Sequence, residues 1–448
     1  MKIAICVKIV QGELNPFDAS ALECALQMEG VHRTVVCLGP PGVAGALRKM
    51  TRLGDFRTVL LSDTAFAGSD TLATSYLLAS FLKTISPDVI FCGRQSIDGD
   101  TAQTGPSLAA RMGFSLQTQV LEFSGRKGRS REGEFQVSTP TVLTFERSYP
   151  LRFPSLRSRV REVEILDRHA LDVDLSRCGT QGSPTRVVQT FEAPRGRRKC
   201  QWISWSELEP LVRELRHQAK KSVKIPPSEK RLPQVCAVGR EIAHYAEAIA
   251  EEVVYWEKVS VEELVARAKQ EKPRVILWNA DVWGRQTAPQ VAVELETGLC
   301  ADCTALETDG ERLWMYRPAV GGNILAKIEC RTRPVMATLR TVQASGEVVI
   351  AGGKGVAKKW DEILRWAERW DAQAGASRGL VDQGVAPYPL QIGLTGKSIS
   401  PKVYLAVGIS GAVQHLCAVE NADTIIAVNA DKNARIFEYA DYGIVKAF

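Results

Sequence analysis

Ser86-Pro-Asp-Val-Ile-Phe91 and Lys272-Pro-Arg-Val-Ile-Leu277 decide the fold. Each run is a proline, a charged residue and then unbroken apolar sequence, which is how a strand buried on both faces reads. The residues after each run match as well. Gln103-Thr-Gly-Pro106 leads into a helix with Ala109 and Ala110 and then Gly113, and Gln286-Thr-Ala-Pro289 into a helix with Ala292 and Val293 and then Gly298. The same order of signals recurs after about 186 residues (273 − 87 for the two prolines), and such self-similarity implies two α/β domains of common design.

Strands and helices alternate on either side of these runs. Lys2–Val7, Thr34–Leu38, Thr58–Leu61 and Val89–Cys92 read as strands. Helical spacing covers 18–28 and 41–52, and a helix over 70–84 follows the N-cap pair Ser69-Asp70. Strands alternating with helices imply crossover connections and a parallel sheet. A third region begins near Ser345, with strands over 347–351, 403–407 and 424–428 and helices over 360–370 and 412–420. The boundaries drawn are 1–192, a connection over 193–232, then 233–345 and 346–448. The connection is basic and proline-bearing and carries one helix, 206–220. All nine Trp fall between Trp202 and Trp370, as two joined stretches of different origin would give.

Composition narrows the class. The 448 residues are 45% hydrophobic and 24% charged, ordinary for a globular protein. No run approaches the roughly 20 apolar residues of a membrane span, and the N-terminus reads as a strand, not a signal peptide. A net charge of +6 without a basic-aromatic patch gives no reason to expect nucleic acid. Eleven scattered Cys fit reduced thiols and a cytoplasmic protein. Cys300-Ala-Asp-Cys303 is a single CxxC with no second pair, so no metal is expected.

Four glycine turns carry the chemistry: Gly352-Gly-Lys-Gly355, Gly375-Ala-Ser-Arg378, Gly393-Leu-Thr-Gly396 and Gly408-Ile-Ser-Gly411. The last lies between a strand and a helix, where unpaired N–H groups and a positive dipole suit a pyrophosphate. Any one of them reads equally as an ordinary tight turn. Together, with Ser, Thr, Arg and Lys donors, they point to a large phosphorylated cofactor.

These residues also carry a resemblance. Ala374-Gly-Ala-Ser-Arg378, Gln391-Ile-Gly-Leu-Thr-Gly-Lys-Ser-Ile-Ser-Pro-Lys402, Val407-Gly-Ile-Ser-Gly-Ala-Val-Gln-His415 and Ala427-Val-Asn-Ala-Asp431 resemble the α subunit of electron-transfer flavoproteins. Ala301-Asp-Cys-Thr-Ala-Leu306 and Arg317-Pro-Ala-Val-Gly-Gly-Asn-Ile-Leu-Ala326 resemble that subunit's first domain. Asn15-Pro-Phe-Asp18, Leu38-Gly-Pro40, the run 66–75 and the run 92–106 resemble the β subunit. The chain thus looks like a fusion of β and α subunits, and the fold expected is two related parallel-sheet nucleotide-binding-like domains plus a C-terminal FAD-binding α/β domain.

The resemblance implies an electron carrier more than a catalyst. It would take electrons from a flavin dehydrogenase, such as an acyl-CoA dehydrogenase of fatty acid oxidation, and pass them to a quinone oxidoreductase or another redox protein. The alternatives are an NADH-dependent bifurcating flavoprotein with two FAD and a redox-inactive nucleotide-binding homologue. FAD contacts are implied at Lys354, Ser377, Arg378, Ile392, Gly393, Leu394, Thr395, Ser410, Gly411, Ala412, Val413, Gln414, His415 and Asn429. His415 is expected to act as a cationic donor toward the pyrimidine edge of the ring. AMP, favoured over a second FAD, is implied at Asp98, Asp100, Thr101 and Gln103. Lys354 and Leu394 depart from the family's Arg and Gln, and the loop between Lys8 and Asn15 is short. The matching loop of the middle domain, 279–289, is expected to bind nothing.

The segment 148–159 has two prolines, which stiffen it and deny it ladder hydrogen bonds. It sets Leu151, Phe153 and Leu156 among Arg152, Arg157 and Arg159. The resemblance implies a recognition loop here, with Phe153 as the anchor on the dehydrogenase.

Overall fold

The computed structural model describes residues 1–138, 140–192, 198–218, 228–319, 324–343 and 345–447. The chain divides into two units: one comprises 1–191, 227–320 and 325–339, the other 192–226, 321–324 and 340–448.

The first unit contains both copies of the repeat. Its nine-stranded sheet runs in the order 164–166, 57–61, 32–38, 2–7, 89–93, 141–145, 115–124, 127–130, 133–136. The first seven are parallel and the last two close an antiparallel hairpin. A five-stranded parallel sheet follows the order 250–256, 232–238, 275–279, 335–339, 299–303. It reproduces the five strands 32–38, 2–7, 89–93, 141–145, 115–124 of the larger sheet, position for position. Val89–Gly93 and Val275–Asn279, which the two proline-led runs predict, hold equivalent places. Both are buried on both faces up to their last residue, which is why they read as continuous apolar sequence. The helices after the two turns, Thr104–Met112 and Val282–Glu294, pack on each other.

The second unit is a seven-stranded parallel sheet in the order 201–202, 442–445, 424–429, 403–407, 348–352, 373–377, 391–392. The chain leaves strand Val348–Gly352 toward one edge and returns to build the other side beginning with Val403–Val407. That reversal is a topological switch point, and the crevice for a ligand opens there, outside the carboxyl ends of the strands.

The connection expected over 193–232 is in part structural. Gln201–Trp202 adds an edge strand. Helix Trp205–His217 starts at a capping box in which the Ser204 N–H donates to Glu207. It buries Leu208, Val212 and Leu215 in one core with Val348, Ile350 and Leu405. The helix lies where its spacing predicts, but the C-terminal domain begins before residue 346 in sequence.

Candidate functional site

Five loops meet at the carboxyl edge of the seven-stranded sheet. Two of them, after Val348–Gly352 and Val403–Val407, straddle the switch point. The Gly353 N–H donates to Val407 O (2.8 Å) and the Gly355 N–H to Gly408 O (3.2 Å). A Cβ on Gly353 would lie 2.1 Å from Gly408 O, so these loops touch only because the residue is glycine. Gly411 has φ +87°, and a Cβ there would meet the Ile436 N at 2.3 Å. These turns are therefore required by the fold itself as well as open to a ligand.

The donor set suits a dinucleotide. Among the described residues, the N–H groups of Ser410, Gly411 and Ala412 donate to no protein acceptor, and they lead into helix Val413–Leu416. Backbone N–H groups of this kind at a helix start are the usual cradle for a phosphate. Lys354 lies across helix Arg378–Val381, its stem so close to Gly379 that a Cβ there would come within 2.6 Å of Lys354 Cε. Buried Gln391 donates through Nε2 to Thr395 Oγ1 (2.9 Å), while its Oε1 has no partner. A buried unpaired acceptor is met by a ligand's donor or an ordered water, and with the unpaired N–H groups the residues present fit a polar, phosphate-bearing cofactor.

Other expected contacts are spent inside the protein. Asn429 Nδ2 donates to Ile409 O (2.9 Å) and its Oδ1 accepts from the Asp431 N–H (3.0 Å), so it ties the glycine loop to the loop after strand Thr424–Asn429. Arg378 pairs with Asp382 at 3.1 Å. Leu394 is buried and its N–H donates to Gln414 O at 2.6 Å. His415 departs furthest from expectation. Its Nε2 lies 2.6 Å from Tyr404 Oη and its Nδ1 3.1 Å from Ile392 O. A carbonyl oxygen can only accept, so Nδ1 carries the proton and Nε2 accepts from the tyrosine. Burial pushes the imidazole down to about 4. This His415 is neutral, and it orients the loop at Ile392 in place of supplying positive charge.

The first unit has its own crevice at the equivalent place. A cavity of about 940 Å³ opens at the carboxyl ends of strands Lys2–Val7, His32–Leu38, Arg57–Leu61 and Val89–Gly93. Thr101 lines it, but the structure spends the other expected residues elsewhere. Asp98 pairs with Lys8 (2.6 Å) and accepts from the Gly99 N–H (2.8 Å). Asp100 accepts from Gln95 Nε2 (2.9 Å). Gln103 is buried between Thr71 Oγ1 and Leu299 O. The carboxylates that do line the cavity are Asp18, Asp63 and Asp70, with Lys8, Arg94 and Arg168 as cations. Asp18 accepts from the Lys8 N–H (2.7 Å) and the Gly93 N–H (3.0 Å), yet burial outweighs both and pushes its carboxyl up to about 7. The missed signal was positional: Leu38–Pro40 and 62–70 run on from strand ends, and Asp18 sits in the first turn of helix Pro16–Gln27.

The equivalent loop of the middle sheet is occupied by its own side chains. Asp281 caps helix Val282–Glu294 through the Gly284 N–H, and Lys258 bridges Asp281 and Glu241 at 2.8 Å each. Cys300 and Cys303 are buried, and no cluster of three or more metal-ligating side chains occurs among the described residues. No helix among them is long and apolar enough to cross a membrane.

In the segment 148–159 the three apolar residues part company. Leu151 packs against the core of the nine-stranded sheet, whereas Phe153 and Leu156 are 94% and 99% exposed. Arg152 holds the segment down by pairing both ways with the buried Glu23.

Comparison with known proteins agrees with this geometry. The electron transfer flavoprotein domain matches residues 4–148 and 245–362, and the electron transfer flavoprotein FAD-binding domain matches 344–420. The chain is 36% identical to an electron transfer flavoprotein subunit alpha of Thermoanaerobacterium thermosaccharolyticum, over 40% of this chain and 68% of the relative. It is 38% identical to protein FixA of Azorhizobium caulinodans, over 44% of this chain and 79% of the relative. It is also 35% identical to protein FixB of Clostridium saccharobutylicum, over 40% and 67%. A fold of paired parallel-sheet domains with a C-terminal FAD-binding domain defines the class, and the chain belongs to the electron transfer flavoprotein family.

Proposed function

We propose that this chain is a single-polypeptide electron-transfer flavoprotein, β-like in its first 192 residues and α-like beyond, that holds one FAD in its second unit. The observation that carries the reading is the crevice at the switch point, with free N–H groups on Ser410–Ala412 and the unpaired Gln391 acceptor. FAD supplies one- and two-electron transfer. The protein's part is to hold it. Ser410–Gln414 and Lys354 take the phosphates, Ser377 and Arg378 flank the cofactor, Ile392–Thr395 line it, and Asn429 and His415 fix the loops that do so. Electrons would come from a flavin dehydrogenase, of the acyl-CoA type in the favoured case, and leave to a quinone oxidoreductase or other redox protein in the cytoplasm. The fusion reading draws support from the two separate matches to the electron transfer flavoprotein domain and from relatives of two kinds, each spanning under half of the chain.

AMP is the proposed occupant of the first unit's cavity. A second FAD is the rival, favoured by one observation: about 940 Å³ is near the top of the ~300–1,000 Å³ range of ligand pockets and exceeds what a mononucleotide fills. The test is the absorbance spectrum of the purified protein together with chromatography of the nucleotides it releases on denaturation. One FAD and one AMP per chain is expected. Two FAD would replace the AMP assignment with the bifurcating reading, and a colourless protein that takes up no added FAD would refute the proposal.

A further inference from the structure

A second cavity in the first unit, of about 400 Å³, opens beside the first turn of helix Thr71–Ile85, next to Asp70 of the larger cavity. It is lined by Tyr76, Arg111, Arg177, Glu296 and Arg331 among others. Arg111 is buried to all but 8% of its side chain. Its Nε and Nη2 donate to Ser75 Oγ (2.9 Å) and Leu72 O (3.2 Å), while Nη1 stops 3.9 Å short of Glu296 Oε1. Arg177 stacks over the Tyr76 ring at 4.2 Å and pairs with the same Glu296 through Nη2 alone. Arg331 donates through Nη2 to Thr180 O and Ser183 O. Among the described residues, each guanidinium thus keeps N–H groups that no protein acceptor takes.

Positive groups outnumber negative ones in the lining: three guanidiniums face one carboxylate, while Asp70 and Asp174 act on Arg111 and Arg177 from just outside it. The next carboxylates, Asp70 and Asp174, accept from backbone N–H groups of Leu72, Ala73 and Thr185 and of Ser176 respectively. Burial beside Arg177 lowers the Arg111 pKa, so the protein bears a cost for holding these charges together. Glu296 is 58% exposed and can swing out of the way.

We propose that this cavity binds a small dianion bearing a phosphoryl group, which displaces Glu296 and engages Arg111, Arg177 and Arg331 in the bidentate fashion guanidiniums favour. The site joins helix Thr71–Ile85 and Arg177 to Glu296 and Arg331 of the second repeat, so its ligand clasps the two repeats together. It rests on none of the flavin assignments. Inorganic phosphate and phenyl phosphate, titrated calorimetrically at fixed ionic strength, test it on the whole chain. Phosphate should bind in preference to chloride, and Arg177→Gln or Arg331→Gln should weaken it about tenfold or more. Glu296→Gln should tighten it. Stronger binding of phenyl phosphate marks a phosphomonoester as the ligand, and equal binding marks free phosphate. Phosphate binding no better than chloride, or left unchanged by all three substitutions, would overturn the proposal.

Discussion

Asp18 and His415 are buried titratable groups whose shifts run in opposite directions. His415 is held down to about 4, below its ordinary 6.5. Between those values the unfolded chain binds a proton that the folded one refuses, so stability falls as pH drops through this window. The full effect is about 3 kcal/mol at 1.36 kcal/mol per pKa unit. Asp18 is pushed up from 3.8 to about 7. The folded state keeps a proton that the unfolded state has lost, so this contribution is complete below 3.8 and fades as pH rises to 7. Asp18 belongs to the first unit and His415 to the second, so each slope is read on its own unit's unfolding. Denaturant unfolding of flavin-free protein at pH 4.5 and 6.5 separates them: His415→Asn should lose less stability on acidification than wild type, and Asp18→Asn should lose more. Parallel pH profiles for all three proteins would mean that neither group is buried as described. Tyr404 is the titratable partner facing His415, and burial keeps its phenol neutral throughout.

At the scale of elements, the strands were legible and the loops were not, for one physical reason. A strand buried on both faces must be apolar throughout, so Val403–Val407 shows itself without its neighbours. A loop's polar residues look the same whether they face a ligand or their own backbone. Asp98 pairs with Lys8 and Asp100 accepts from Gln95 of its own loop, while Asp18, inside a helix, lines the cavity. The helix expected over 412–420 ends at Leu416, because Gln414 O and Ala418 O accept from the Leu394 and Ile399 N–H groups instead of continuing the helix. No sequence period records that competition. The segment 148–159 gives a prediction of its own. Arg152, Tyr149 and Ser20 fix its base, since Ser20 Oγ accepts from the Ser148 and Tyr149 N–H groups. Phe153 and Leu156 are left with nothing to pack on. Exposed apolar anchors near basic residues are where a transient interface gains most of its energy. Phe153→Ala should lower the rate of flavin reduction by the proposed partner dehydrogenase about tenfold, some 1.4 kcal/mol, with flavin content and melting temperature unchanged. Leu151→Ala should do the reverse, costing about 0.5–3 kcal/mol of stability because its side chain is partly buried against the core of the nine-stranded sheet. A Phe153→Ala protein that melts early would sink the docking claim.

For the whole molecule, the division into two units has a thermodynamic consequence. Among the described residues, each apolar cluster lies within one unit: the helix 205–217 shares its core with the seven-stranded sheet, and the paired repeats share theirs with neither. Cores that do not merge are free to unfold separately, and two-state behaviour then fails for the chain as a whole. The proposed ligands divide the same way, FAD with the second unit and AMP with the first. A ligand that binds only the native state adds RT ln(1 + [L]/Kd), about 2.7 kcal/mol at a hundredfold excess over Kd. Calorimetric melting should therefore resolve two transitions. FAD should raise one of them, AMP the other. Leu208→Ala, which empties part of the second unit's core, should lower the FAD-sensitive transition and leave the AMP-sensitive one in place. A single transition raised equally by both nucleotides would mean that the chain melts as one body and that the two sites are coupled through it.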